Sequence, residues 1–477
     1  GKIIFPRGEF LSGSISLKSN IELHLQKGSI LLGSTDPDDY GQDDPKGPDL
    51  DENKVTPSRM ALIVANNVTN IALTGQGTID GQGMALAVTI DSLHHLGVRR
   101  VHNYNYRRMR PNEGSRPMLF AFTDSKEITV TGLHLKNSAC WGLFFERCSD
   151  MVLDSLKVTN RAFWNNDGMD ITDCKNVKVT NCDLDTADDG ICLKSHTPGY
   201  FNDNIYVANC TIRSSASAVK FGTASHGGFK NITIENIKVF DTFRSAIAIE
   251  SVDGGDIENI KVSNVIAENT GNAIFIRLGH RAGEKPGTIK NVHIKDVKVQ
   301  VPFGRPDIDY DLRGPEVDFF HNPFPSSIVG IPGHNVQNVI LENIDISFPG
   351  RASKAMGYIP LNDLDRVPEK IDDYPEFSMF GELPAWGFYV RHAEGVTFKN
   401  VTINARNTDF RPAYVFDRVQ NISITDSDVV PVSTADQLVL KDAKNISISN
   451  VKVDGKSIAK IPVYGITLGL EGIESLD

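Results

Sequence analysis

A short unit, Asn-Ile/Val-x-Ile/Val, recurs along most of the chain and constrains its fold more than any other feature. It reads NIEL from Asn20, NIAL from Asn70, NVKV from Asn176, NIYV from Asn204, NITI from Asn231, NIKV from Asn259, NVHI from Asn291, NVIL from Asn338, and NISI from Asn421 and Asn445. EITV from Glu127 and GVTF from Gly395 are degenerate copies. Between Asn176 and Asn259 the steps are 28, 27 and 28 residues. β-Branched residues alternating with polar ones mark short strands with one buried face, and the Asn, Gly and Asp between them supply turns. A period in the twenties with several such strands specifies an all-β fold, a right-handed parallel β-helix in which each turn stacks its strands on the turn before. The repeated Asn is expected to form a ladder at one corner. Leucine-rich repeats share the period but need an L-x-x-L-x-L frame that is absent, and a propeller needs a longer period.

No low-complexity linker splits the 477 residues, so one domain over 1–477 is expected. The opening GKIIFPRGEFLSGSISL already reads as a strand with turns around it, so an N-terminal segment is expected upstream, and no export signal is visible. Two stretches rich in Pro and aromatics, 301–330 and 350–392, interrupt the period as loop insertions. They either wall a cleft or cover the flank of the helix. Cys140, Cys148, Cys174, Cys182, Cys192 and Cys210 show no zinc-type spacing and are read as buried free thiols. Lys plus Arg total 49 against 60 Asp plus Glu, a net charge of -11, which excludes broad binding to nucleic acid. No apolar run approaches the roughly 20 residues of a membrane span.

Two consecutive turns carry acidic clusters, WNNDGMDITDCKN from Trp164 and DTADDGICLKSHT from Asp185. Placing Gly168 over Gly190 sets Asp167 above Asp189, with Asp188 just before it, so turns about 4.8 Å apart bring three carboxylates together. Like charges at that spacing raise at least one pKa, the condition for a carboxylic acid and a carboxylate to coexist at neutral pH. In the same register Met169, Ile171, Ile191, Leu193, Val219, Phe221, Ile247, Ile249, Ile274 and Ile276 fill the interior. The alternate positions are expected to face solvent: Phe144, Glu146, Asp170, Thr172, Cys192, Lys194, Lys220, Glu250, Phe275 and Arg277. For any single cation among them a solvated polar face is the plainer reading. Carboxylates beside an extended groove suggest glycosidic cleavage, with one acid protonating the leaving oxygen and another carboxylate activating water.

At these residues the chain resembles glycoside hydrolase family 28, the polygalacturonase and rhamnogalacturonase group of pectin-degrading β-helix enzymes. The specific matches are the family's Asn-x-Asp motif at Asn165, Asn166 and Asp167 and its Asp-Asp motif at Asp188 and Asp189. The resemblance implies an inverting hydrolase without cofactor or metal, with Asp188 as general acid and Asp167 and Asp189 positioning and deprotonating the water. Two family motifs are altered. Ser217 stands where Gly-His-Gly has its His, His226 is out of register, and Ala248, Ile249 and Glu250 replace Arg-Ile-Lys.

Three explanations follow from these changes. Lys194, Lys220, Arg277, His280 and Arg281 recognise an acidic sugar from other turns; or Glu250 bonds the hydroxyls of a neutral sugar such as rhamnose; or the chain is a weakly catalytic binding homologue. Asn165 and Asp170 complete the expected substrate-binding set. Trp164 either stacks on a sugar or packs in the core, Trp141 is expected in the core, and Trp386 is expected near the cleft. The expected activity is hydrolysis of a pectic or related acidic polysaccharide, of galacturonide or rhamnogalacturonan type, from a chain end. The alternatives are a polysaccharide lyase and a non-catalytic carbohydrate-binding β-helix. The expected partner is the polysaccharide alone, bound by a monomer, and that substrate class places the protein in a secreted or periplasmic setting.

Overall fold

The computed structural model describes residues 1–41, 60–102, 104–310, 324–353, 359–433 and 435–476. Residues 311–323 and 354–358 of the two loop insertions lie outside the described residues. Parallel strands make up nearly all of the regular structure, and the fold is a parallel β-helix. Two compact units are present: Gly1–Leu193 with Asn202–Ala216 and Ile308–Asp318, and Lys194–Phe201 with Ser217–Asp307 and Phe319–Asp477.

The sequence repeat has a local cause. Its Asn residues sit at corners in the left-handed region, with φ of 62° at Asn20, 55° at Asn176, 56° at Asn204, 59° at Asn259 and 56° at Asn445. Asn tolerates that region because its short polar side chain can bond locally. Many of their side-chain amides then donate to the Asn one turn earlier, as Asn70 to Asn20 at 2.8 Å, Asn204 to Asn176 at 2.9 Å and Asn259 to Asn231 at 3.1 Å, while Asn176 donates to Asp150 and Asn421 to Glu394. A second ladder runs through Asn264 to Asn236 at 2.7 Å and Asn400 to Asn343 at 2.9 Å. Gly395 stands in for Asn at φ 69°, and a Cβ there would lie 2.7 Å from the Asn338 Oδ1.

In the first unit, Ala61–Asn66, Met118–Thr123, Leu143–Glu146 and Met169–Thr172 pair in sequence as one parallel ladder. A second ladder runs from Thr69–Gly75 through Lys126–Thr131, Ser149–Asp154 and Lys175–Thr180. In the second unit, Gly228–Ser251, Asp256–Leu278, Ile289–Gln300, Val336–Phe348, Phe388–Ala405 and Tyr414–Val430 stack in the same way. Ser326–Val329, at the end of the first insertion, is a strand pairing with both Asp256–Leu278 and Phe388–Ala405. Register puts like on like: Ile232, Ile260, Val292, Val339 and Val396 form one interior column, each at most 1% exposed. Burying each such side chain contributes about 1.5–3 kcal/mol.

The alternation places the interior residues as expected, but the opposite face is not solvated. Phe144, Asp170, Thr172, Cys192, Lys220, Glu250, Phe275 and Arg277 are all buried, and Glu146 and Lys194 nearly so. In the first unit Trp141, Cys140 and Met118 pack with Phe144 and Ala121. In the second, Leu364, Val367, Phe377, Phe380 and Leu383 from the insertion before Phe388 pack onto Phe275, Val329, Tyr389, Val415 and Val439. Period-two alternation tells which side of a strand a residue takes, and these segments supply a second apolar layer on that side. The α-helix Gly83–His95, unanticipated from the repeat, lies between strands Thr78–Asp80 and Met118–Thr123 and buries Leu86, Ala87 and Ile90. All six cysteines are free and buried.

Candidate active site

The carboxylate cluster lies in the first unit. The Gly168 amide donates to the Asp189 carbonyl at 2.9 Å and the Met169 amide to the Gly190 carbonyl at 3.0 Å, which sets Gly168 over Gly190 and Asp167 beside Asp189. Ligand atoms of Asp167, Asp189 and Cys192 all lie within 4.8 Å of one another, the one group among the described residues that could hold a metal ion. Asp167 is 3% and Asp189 4% exposed, whereas Asp188 is half-buried. The Asp188 backbone is fixed by hydroxyls of Thr186 and Ser214 donating to its carbonyl at 2.6 and 2.7 Å, and its Oδ1 accepts from the Asp189 amide at 2.9 Å.

The turn entering this cluster is organised by a residue the repeat does not mark. Arg116 is fully buried and donates to the carbonyls of Pro111, Asn112, Ala139 and Trp164 and to the Asn165 Oδ1 at 2.7 Å. Asn165 is thus held in the left-handed region at φ 56°. Asn166, also fully buried, donates to the Ser138 and Cys140 carbonyls, and its Asn160 neighbour donates to the Asp167 carbonyl at 2.8 Å. Trp164 is half-buried, with the Arg110 guanidinium 3.9 Å from its ring centroid. Its indole Nε1 is buried with no hydrogen-bond partner among the described residues. Trp141 packs in the core, as expected.

Tyr310, from the 301–330 stretch, donates its hydroxyl to the Phe163 carbonyl at 3.2 Å and has the Arg161 guanidinium 5.2 Å from its ring. Burial, and then the nearby Asp188 charge, push the Tyr310 hydroxyl pKa up, so it remains a proton donor. Arg161 and Arg213 both face Asp185, at 3.2 and 3.6 Å, and both pair with Asp309. Burial raises the Asp185 pKa against the pull of these arginines. Sequence signals for this set are faint. Arg110 and Arg116 each precede a Pro in a non-periodic stretch, and Tyr310 lies in PDIDYD.

Asp170 lies fully buried in the first unit, and the second unit holds the remaining expected residues. Lys220 and Glu250 are each 2% exposed, and their charged groups lie 3.9 Å apart. Lys194 is 8% exposed, and Ser217 is buried. Arg277 does not face solvent. Its guanidinium donates to the carbonyls of Gly330, Glu369 and Lys370 at 2.8–2.9 Å and lies 5.1 Å from the Phe380 ring, and burial lowers its pKa to about 10. It braces the insertion rather than lining an open face. His280 is half-buried, with its Nε2 3.1 Å from the Gly283 carbonyl. Arg281 is bound to both carboxylate oxygens of Asp253 at 2.9 Å. Trp386 is 2% exposed, donates to the Gln437 side chain at 3.1 Å and packs edge-on to Phe348, so it belongs to the core rather than to a cleft.

Arg277 belongs to a column of charged residues, Glu250, Arg277, Arg391, Asp417 and Lys441, in register on successive strands with Val329 between the arginines. Arg391 pairs with Asp417 at 3.1 Å and with Glu369 of the insertion at 2.5 Å. These charges are spent inside the unit.

Known proteins resemble this chain along much of its length. A "Probable polygalacturonase" of Vitis vinifera is 22% identical over 354 residues, 72% of this chain and 62% of the relative. An "Endo-polygalacturonase" of Pectobacterium parmentieri is 24% identical over 277 residues, 56% of this chain and 64% of the relative. "Exopolygalacturonase B" of Aspergillus niger is 28% identical over 249 residues, 50% of this chain and 48% of the relative. The chain thus spans about half to two thirds of the length of these relatives. The solved structure of a Yersinia enterocolitica family 28 exopolygalacturonase, 20% identical, shares the fold with a TM-score of 0.57 over 96% of this chain and 73% of that one. The profile described as "Glycosyl hydrolases family 28" matches residues 2–304, well over half of the sequence. The chain therefore belongs to glycosyl hydrolases family 28.

Proposed function

We propose that this protein hydrolyses glycosidic bonds of a pectic galacturonan or rhamnogalacturonan, with Asp188 as general acid and Asp167 and Asp189 holding and deprotonating the attacking water. The observation that carries this reading is the arrangement of the first unit's acidic turns. Two buried carboxylates, Asp167 and Asp189, have atoms within 4.8 Å of each other, and the half-exposed Asp188 is adjacent in sequence. Such an asymmetry suits one group that meets a leaving oxygen and two that share a water. Family membership favours this hydrolytic reading over β-elimination.

The proposed substrate polymer is too large to be taken up intact, so the protein works outside the cytoplasm, in a secreted or periplasmic setting, as a monomer releasing sugars from chain ends. Asp167, Asp189 and Cys192 would supply ligands if a divalent ion bound, but hydrolysis by the three carboxylates requires none. The test is Asp188→Asn assayed on polygalacturonan and rhamnogalacturonan. The expected result is a loss of at least about a hundredfold in kcat with an unchanged melting curve. Near-normal turnover would overturn the assignment.

A further inference from the structure

The insertion of the second unit presents a residue that neither strand alternation nor the family motifs mark. It is fastened on both sides of Tyr374. Before it, Arg277 donates to the Glu369 and Lys370 carbonyls at 2.8 Å, and the His280 amide donates to the Ile371 carbonyl at 2.7 Å. Glu369 also pairs with Arg391 at 2.5 Å and with His392 at 3.1 Å. After it, Glu376 pairs with Arg244 at 2.8 Å. Between these anchors Tyr374 keeps 49% of its surface exposed. The Lys220 ammonium donates to its hydroxyl at 3.3 Å and lies 5.4 Å from the ring centroid, and the Arg281 guanidinium is 5.9 Å from it.

A half-exposed aromatic ring so fixed has paid its ordering entropy before any ligand arrives. Tyr combines an apolar face with a polar tip, the combination that suits the face and hydroxyls of a sugar ring. The cations beneath it are already balanced, Lys220 by Glu250 at 3.9 Å and Arg281 by Asp253 at 2.9 Å. They orient and polarise the phenol rather than offering a free charge of their own.

We infer that Tyr374 is a substrate-binding residue: its ring stacks on a pyranose of the oligosaccharide, and its hydroxyl, oriented by Lys220, hydrogen-bonds a sugar oxygen. Arg277 is a positioning residue that acts through the backbone at 369–370. The inference rests on the proposed pectic substrate and adds to it a sugar-binding group on the second unit.

The test is titration calorimetry with trigalacturonate and with a rhamnogalacturonan oligosaccharide in an Asp188→Asn background, with Tyr374 retained, changed to Phe or changed to Ala, each outcome being read on whichever of the two sugars binds. Tyr374→Ala is expected to raise Kd about tenfold and Tyr374→Phe less than about threefold, with melting curves unchanged. A Kd unaltered by Tyr374→Ala overturns the inference. Hydrolysis by the unsubstituted protein is read in parallel. Turnover with a Tyr374-independent Kd removes this inference alone. Tyr374-dependent binding without turnover supports the inference and removes the hydrolytic reading. No binding by the unsubstituted protein removes both.

Discussion

Gly168 lies so close to Gly190 that a methyl group on it would stand 2.5 Å from the Gly190 carbonyl oxygen. The same contact carries the register that sets Asp167 beside Asp189, through the 2.9 Å bond from the Gly168 amide to the Asp189 carbonyl. Gly168→Ala must therefore push one turn away from the next, against Leu184 and Thr186 as well. Overpacking of this kind costs about 1–3 kcal/mol. Activity should fall by much more than the change in melting temperature implies, because the displaced turn carries Asp167. Full activity in a folded Gly168→Ala protein would show that the register does not govern the site.

Arg277→Met leaves the Gly330, Glu369 and Lys370 carbonyls without the donor they share. Each buried carbonyl so orphaned costs about 1–3 kcal/mol, offset where water enters. The expected kinetic signature is a KM raised about tenfold with kcat within about threefold, since Arg277 acts only through the insertion. A collapse of kcat with KM unchanged would instead place Arg277 against the reacting atoms.

The insertion should also respond to acid. Burial pulls the Glu369 carboxyl up, but the His392 hydrogen bond and the charges of Arg391 and Arg418 outweigh it and hold the pKa below its ordinary value. The hydrogen bond from Arg418, aided by its charge, likewise holds Asp365 low. A depressed carboxylate contributes stability that is complete above its unfolded pKa, about 4.3 for Glu, and lost as pH falls through the folded value. The melting-temperature gap between the protein and its Glu369→Gln variant should shrink as pH falls below about 4. A gap that widens on acidification would contradict the assigned pairing.

The parts of this structure legible in the sequence are those written in its period. Asn204 and Asn259 announce the corners because few other residues accept the left-handed region there, and Gly168 marks the stacking on Gly190 because a Cβ on Gly168 would meet the Gly190 carbonyl. What the alternation cannot express is what lies over the outer face. Phe275 and Arg277 alternate as solvent-facing residues should, yet Phe380 and the carbonyls of 369–370 cover them from a segment without periodicity. Arg277 was therefore readable as a charge but not as a brace. Arg116 and Tyr374 were invisible for the same reason, since their roles come from tertiary contacts of irregular chain.

The central claim is direct displacement at the anomeric carbon by water held at Asp167 and Asp189, with protonation by Asp188. Proton NMR of the first products from trigalacturonate, recorded before mutarotation, tests it most directly. The newly formed reducing end is expected to appear first in the anomeric configuration opposite to that of the bond cleaved. Retention of configuration, or an unsaturated product, would contradict it.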